Sequence, residues 1–327
     1  MKDIGLVGVP FSGKSTLFTA LTRTGAAGGR SNQAVVTVPD PRLPTLAEMA
    51  RAKKAVPAQV RFIDVPGGTS SAHGIAELRE TDALCIVLRA FGPDQSPAAE
   101  LGEVTADLLL ADLSVVEPAA EKSERRAQRE KAAAPEAAAL AEAHAALASE
   151  TLLRDAGLSP EHQRLLRAIA LLTLKPWAVV ANLEEGTEVP PGLPKETVGV
   201  YASIEAETAE MPQDEARSLL AEFGVSEPGL EGVIRACYRA LDLVTFFTTA
   251  NDETHAWQLP RGAKAAEAAG VIHTDMERGF IRTEVIAYDD LVAVGSTDAA
   301  RHKGLVRLEA KDYAVREGDI LHIRFAV

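Results

Sequence analysis

The chain has 327 residues, 46% apolar and 25% charged, and carries 34 Lys and Arg against 47 Asp and Glu for a formal charge of -13. This length suits two or three domains, and the acidity argues against indiscriminate nucleic-acid binding and against DNA as a partner, since an acidic surface gains nothing by displacing phosphate counterions. No apolar run approaches the roughly 20 residues of a membrane span, and Met1-Lys2-Asp3 passes straight into a strand without room for a signal peptide, so a cytoplasmic protein without membrane contact is expected.

The first predicted elements are a strand over Asp3 to Val9, a Gly-rich turn and a helix over Thr16 to Thr24, where Leu17, Phe18 and Leu21 keep helical spacing. The turn, Gly8-Val9-Pro10-Phe11-Ser12-Gly13-Lys14-Ser15, fits GxxxxGKS between a strand and a helix, the context that makes the pattern a phosphate-binding loop. Amides of Phe11, Ser12, Gly13, Lys14, Ser15 and Thr16 are then the candidate phosphate cradle. Lys14 is the candidate counter-charge for the β and γ oxygens, and Ser15 a candidate Mg²⁺ ligand.

Strands follow at Ala34 to Val38 and Gln59 to Asp64. Asp64-Val65-Pro66-Gly67 ends the second of these in the DxxG form of a γ-phosphate sensor: Asp64 is placed to reach Mg²⁺ through a water, and the Gly67 amide to sense the phosphate. His73 in the following loop is a candidate for positioning water, and Arg30 in the Gly-rich stretch before Ala34 a candidate cis arginine finger. Each is more often an ordinary solvated surface residue, and neither is assigned the role.

After a strand over Ala83 to Leu88 the composition turns to Ala, Glu, Leu, Lys and Arg. Val104, Leu108, Ala111 and Val115 share one helical face and Leu140, Ala143 and Leu147 another, which predicts two long helices packed as a hairpin, with Glu121 to Lys131 as solvated face and loop and Pro135 as a break. Ser159-Pro160 reads as cap and first turn of a third helix. Strands resume at Ala178 to Asn182 and Thr197 to Tyr201. Short, continuously apolar strands of this kind suit a largely parallel sheet buried on both faces.

Asn182-Leu183-Glu184-Glu185 stands where guanine-binding enzymes of this architecture carry NKxD. Glu185 replaces the base-pairing Asp and Leu183 the stacking Lys, a change that weakens guanine selection while Asn182 and the Leu183 backbone can still address an adenine amino group. Ala202 and Ser203, after the next strand, can offer amides to the base. A helix over Leu230 to Leu241 leads to short strands from about Leu243 to Val327, including Phe280 to Tyr288 and Ile320 to Phe325, with a helix over Gly262 to Ala269. This fits a small ubiquitin-like grasp module. Arg261, Lys264, Arg278, Arg282, Arg301, Lys303, Arg307 and Lys311 give it a basic character that suits either contact with RNA phosphates or plain solubility. Cys85 and Cys237 lie in separate apolar runs without CxxC spacing and are expected as buried, reduced thiols.

With these motifs in place the chain resembles the Obg-like ATPases called YchF. Besides the P-loop, DxxG, NxxE, inserted hairpin and grasp module, the likeness extends to Val38-Pro39-Asp40-Pro41-Arg42-Leu43, Ala111-Asp112-Leu113, Ile204-Glu205-Ala206-Glu207 and Gly270 to Arg282, which reads GVIHTDMERGFIR. The resemblance implies a doubly wound, mostly parallel α/β P-loop domain at 1–95 and 175–242, a helical coiled-coil insertion at 96–174 and a TGS domain at 243–327. It further implies ATP preferred over GTP as substrate, Mg²⁺ as cofactor, and the ribosome as partner, bound as large subunit or assembled particle through the helical and TGS domains. The chain departs from the family pattern in three places. No Thr in Gly25 to Ala34 aligns with the Mg²⁺-binding Thr of switch I, Gly68 to Gly74 is a short switch II, and Phe91 to Ala98 lacks a His. Two readings stay open: a slow ATPase, or a nucleotide-gated ribosome adaptor without turnover. A P-loop small-molecule kinase would leave NxxE and the C-terminal module unexplained.

Overall fold

The computed structural model describes residues 1–22, 32–209, 211–223, 225, 229–250 and 252–326, so Arg30 and most of the Gly-rich stretch lie outside the described residues. Two compact units emerge, one from Met1–Val36 with Val60–Ala240, the other from Thr37–Gln59 with Leu241–Val327.

In chain order the elements are β1 (Lys2–Val7), α1 (Lys14–Thr22), β2 (Asn32–Thr37), α2 (Arg42–Ala50), β3 (Lys54–Val56), β4 (Gln59–Asp64), α3 (Ala72–Arg79) and β5 (Ala83–Ala90). The helical region holds α4 (Pro97–Ala127), α5 (Ala134–Ala148) and α6 (Pro160–Leu166), and the chain returns through β6 (Trp177–Leu183), β7 (Val198–Val200), α7 (Ala202–Thr208), α8 (Gln213–Glu222) and α9 (Gly229–Ala240). The first sheet has the order β2-β4-β1-β5-β6-β7. Its pairs β1/β4, β1/β5, β5/β6 and β6/β7 are all parallel. Ile4, Leu6, Val7 and the run Leu84 to Leu88 are fully buried, as continuous apolar strands covered on both faces should be. Cys85 and Cys237 are free, buried thiols, and the Cys85 contact together with burial holds the Cys237 thiol well above its ordinary value.

The long helix α4 serves two cores. Val104 and Leu108 join the sheet cluster, whereas Leu109 and Val116 join Leu140, Ala143 and Leu147 of the hairpin. Because the partner changes along its length, the buried stripe rotates: Val116, not Val115, is buried, and Asp112 takes the inward position beside Ala111. Much of the charged run from Glu121 remains helical to Ala127, and Pro135 sits in the first turn of α5, where its missing N–H costs nothing. Ser159 caps α6 by accepting from His162 N at 3.1 Å.

The second unit continues with β8 (Leu243–Ala250), β9 (Glu253–Pro260), α10 (Ala265–Ile272), α11 (Thr274–Arg278), β10 (Phe280–Ala287), α12 (Tyr288–Val294), α13 (Thr297–His302), β11 (Arg307–Glu309) and β12 (Asp319–Phe325). Its sheet runs β11-β10-β12-β8-β9-β3, with Val244, Phe246, Leu259, Val285 and Leu321 in the core beneath Ala265 and Ala268 of α10. The short helices α12 and α13 were not legible beforehand as a break after Ala287, although Asp289 and Asp290 in the first turn and Gly295 at φ 83° after the last are helix signals.

Residues 37–59 group with this second unit, whereas the sequence reading placed them in the nucleotide domain. The cause is pairing: β3 runs parallel to β9, with Lys54 opposite Glu253 and Val56 opposite His255. Arg42 strengthens the attachment by forking onto Asp40 at 2.9 and 2.7 Å, bonding Glu317, and lying 5.2 Å over the Phe247 ring. The Val38 to Leu43 motif is therefore a seam of the second unit.

Candidate functional site

Parallel pairing brings the C-terminal ends of β1, β4, β5 and β6 to one edge of the sheet, the usual ligand edge of an open α/β fold. There β1 gives way to the loop 8–13 and α1 starts at Lys14. Gly8 and Gly13 admit no side chain: a Cβ on Gly8 would overlap the Val87 carbonyl, and one on Gly13, whose φ is 88°, would overlap the Asn182 amide. The first turn of α1 holds no acidic residue, which leaves its N-terminal amides free to receive an anion. Lys14 Nζ donates to the carbonyls of Gly8 at 2.9 Å and Val9 at 2.8 Å. Burial lowers its pKa, and the charges of Asp64 and Glu100 oppose that loss. Ser12 Oγ is buried without a hydrogen-bond partner among the described residues. Phe11, in a left-handed conformation, is 89% exposed at the loop tip.

Asp64 closes β4 and is 4% exposed, and its carboxylate makes no hydrogen bond or ion pair among the described residues. Such a charge is costly to bury unless a cation compensates it. Gly67 takes φ 82° ahead of the tight 3-10 turn Gly68–Ser70, and Ser71 then caps α3. His73 falls in the first turn of that helix, with its ring 65% exposed and 3.2 Å from Glu77. The same turn is tied to the hairpin, since Thr69 Oγ1 donates to Asp107 Oδ2 of α4 at 2.7 Å. Thr69→Val and Asp107→Asn should each loosen this tie. In a double-mutant cycle read by nucleotide-dependent protection of α4 amides from exchange, a coupling of about 0.5–3 kcal/mol is expected; additive effects would show the bond to be incidental.

At the end of β6, Asn182 is buried and its amide is already spent. Nδ2 donates to Ser12 O and Oδ1 accepts from Ala202 N, both at 3.2 Å. The residue thus locks the phosphate loop to the start of α7. Leu183 is buried, while Glu185 and Ser203, like Ser15 and Thr16, face solvent. A second buried carboxylate stiffens this corner: Glu205 accepts from Tyr201 N at 3.2 Å and from Gly229 N and Leu230 N at 3.0 Å, and burial raises its pKa against those bonds. The structure therefore gathers Val9, Ser12, Lys14, Asn182 and Ala202 into one bonded assembly, with Gly13 packed against the Asn182 amide, and leaves Glu185 and Ser203 outside it. Sequence reasoning missed Glu100, Asp107 and Glu205. Only Glu205 offered a signal, an acidic residue between the apolar Ile204 and Ala206.

Chemically, the arrangement offers an anion cradle, an ammonium, a buried carboxylate whose charge acts on that ammonium, and the exposed hydroxyls of Ser15 and Thr16 at a helix start. A family model described as 50S ribosome-binding GTPase matches residues 3–145, and the YchF-GTPase C-terminal model, described as a protein of unknown function, matches residues 243–326. The "Ribosome-binding ATPase YchF" of Bacillus subtilis is 38% identical over 361 residues, covering 99% of both chains. That of Escherichia coli O157:H7 is 37% identical over 358 residues, again covering 99% of each. The solved structure of the Schizosaccharomyces pombe YchF GTPase superposes with a TM-score of 0.86 at 26% identity, covering 99% of this chain and 97% of that one.

Proposed function

This chain belongs to the YchF family, and from that premise we propose that it is a Mg²⁺-dependent P-loop ATPase that prefers ATP to GTP and works on the ribosome. The observation that carries this reading is the Lys14, Asp64 and Ser12–Asn182–Ala202 assembly at the sheet's ligand edge. Lys14 would exchange the Gly8 and Val9 carbonyls for β and γ oxygens, while amides from Phe11 to Thr16 hold the phosphates. Ser15 and Asp64 would hold Mg²⁺, and the fit is supported by the buried Asp64 carboxylate, which makes no hydrogen bond or ion pair among the described residues, and by the exposed Ser15 hydroxyl at the helix start, since Mg²⁺ binds through few protein ligands and keeps its waters. When bound, the ion neutralises charge on the phosphates. The Gly67 amide would sense the γ-phosphate.

Base selection follows from what the pocket lacks. Leu183 is buried and cannot stack as Lys would, and Asn182 is bonded internally, so it positions the loop while backbone groups at Leu183 and Ser203 address the base and Glu185 borders it. A site without the Lys and Asp of NKxD has no fixed partner for guanine N1 and N2 donors.

Ribosome contact is assigned to the helical region and the TGS-like C-terminal module. Arg261, Arg301 and Arg307 are neutralised by Asp242, Glu284 and Asp319, so rRNA phosphate contact falls to Lys264, Arg278, Arg282, Lys303 and Lys311, which make no ion pair among the described residues. No described helix is long and apolar enough to cross a membrane, in keeping with a cytoplasmic role.

Calorimetric titration with ATP, GTP and non-hydrolysable analogues in Mg²⁺, followed by phosphate release from the same preparation, tests the reading. ATP should bind at least about tenfold more tightly, roughly 1.4 kcal/mol, and release should stop on chelation of the metal. Absence of ATP binding overturns the proposal. Binding without release supports the alternative, a nucleotide-gated adaptor, which the lack of a His in Phe91 to Ala98 favours.

A further inference from the structure

The reaction needs a group that holds the attacking water, and the family-type positions for it are unfilled in this chain. The side chains able to accept a proton near the phosphate loop are few. Asp64 is committed to the metal in the reading above. His73 lies on the solvent side of α3 against Glu77. Phe91 to Ala98 offers no imidazole.

Asp107 accepts from Thr69 Oγ1 and Glu184 from Gly92 N, whereas Glu100, in the first turn of α4, is anchored at the end of β5 that borders the loop. Its Oε2 accepts from Arg89 N at 2.8 Å and its Oε1 lies 3.4 Å from Arg89 Nε, with the carboxylate side chain only 12% exposed. These bonds fix it at the C-terminal end of β5. That end borders the loop directly: β5 pairs with β1 through Val7 and Ile86, the Val87 carbonyl crowds Gly8, and the Phe91 ring lies 3.8 Å from where a Gly13 Cβ would stand. Arg89, to which Glu100 is anchored, sits between those two contacts. The Oε1 contact is long, and an ionised carboxylate has about four acceptor sites, so Glu100 keeps capacity for a water.

We infer that Glu100 orients the attacking water and accepts its proton, an inference that rests on the ATPase reading of the same site. The water oxygen bonds to the γ-phosphorus as the bond from that phosphorus to the bridging oxygen breaks. The electron pair leaves with ADP, and the proton taken by Glu100 passes to the released phosphate. No further reactant is needed.

Glu100→Gln separates this role from simple anchoring, because an amide oxygen still accepts from Arg89 N but takes up no proton. Phosphate release by the full-length protein should fall about 100-fold or more, the lower range for loss of a general base. ATP affinity by calorimetry should stay within about threefold, and the thermal midpoint should not move. Glu100→Ala, which also removes the anchor, should lower release at least as far and in addition lower the midpoint. Release by Glu100→Gln at the wild-type rate would overturn the inference while leaving the ATPase reading intact. Wild-type release that is absent, or unaffected by Lys14→Ala, would overturn both.

Discussion

Replacing Lys14 by Ala should lower phosphate release at least about 100-fold, the scale on which one preorganised charge contact to a transition state is lost. The side chain is well placed to show a specific effect. Its ammonium rests on two carbonyls of its own loop, Gly8 and Val9, and those acceptors lie where a nucleotide's phosphates would draw it away. Burial lowers its pKa in the free protein, whereas phosphate oxygens would raise it again. Binding should therefore take up a proton as pH rises toward the free-protein value, and ATP affinity should weaken on the alkaline side. Calorimetry in two buffers of different ionisation heat would detect the uptake, and the same slope in Lys14→Ala would assign it elsewhere. A variant that keeps wild-type release would remove Lys14 from the reaction.

The second large effect is on stability. Asp112→Ala should destabilise the first unit by about 3–5 kcal/mol, the cost of breaking a buried ion pair from one side. Asp112 is fully buried in α4 and accepts from Arg79 Nη1 at 2.9 Å, Leu172 N at 3.0 Å, Thr173 N at 2.7 Å and Thr173 Oγ1 at 2.8 Å. Truncation leaves a mostly buried guanidinium, held also by the Ala111 and Ala170 carbonyls, without its counter-charge, and strands two amides and a hydroxyl. Asp112→Asn keeps acceptor and shape and should cost less. Chemical denaturation followed by helix signal measures both. If Asp112→Ala lost under about 1 kcal/mol, an exposed pair's worth, the network would not be what joins α4 to α3 and to the 172–174 turn.

Much of the candidate site was legible because its chemistry is local. Gly8 to Ser15 names its own geometry: two positions that tolerate no Cβ, a Lys on the first helical residue and a hydroxyl beside it. Asp64 to Gly67 is similarly self-contained, a carboxylate at a strand end and a glycine with positive φ. The apolar runs at β1, β5 and β6 announced a sheet covered on both faces, since period and burial are properties of a few consecutive residues. The TGS-like tail was readable chiefly through its resemblance to relatives.

What the chain could not announce are pairings between residues far apart. Asn182 looked like a base reader, but its amide closes onto Ser12, 170 positions away, and onto Ala202. Asp112 looked like one polar residue in an amphipathic helix until Arg79 and Thr173 arrived around it, and Glu100 carried no signal before β5 delivered Arg89. Residues 37–59 read as part of the nucleotide domain, and the pairing of β3 with β9 moved them. The division has one physical cause. Turn geometry and hydrophobic period depend on neighbours along the chain, so the sequence by itself determined the phosphate loop and the layered sheet; a buried carboxylate or an edge strand takes its meaning from partners that only the folded chain brings within about 3 Å.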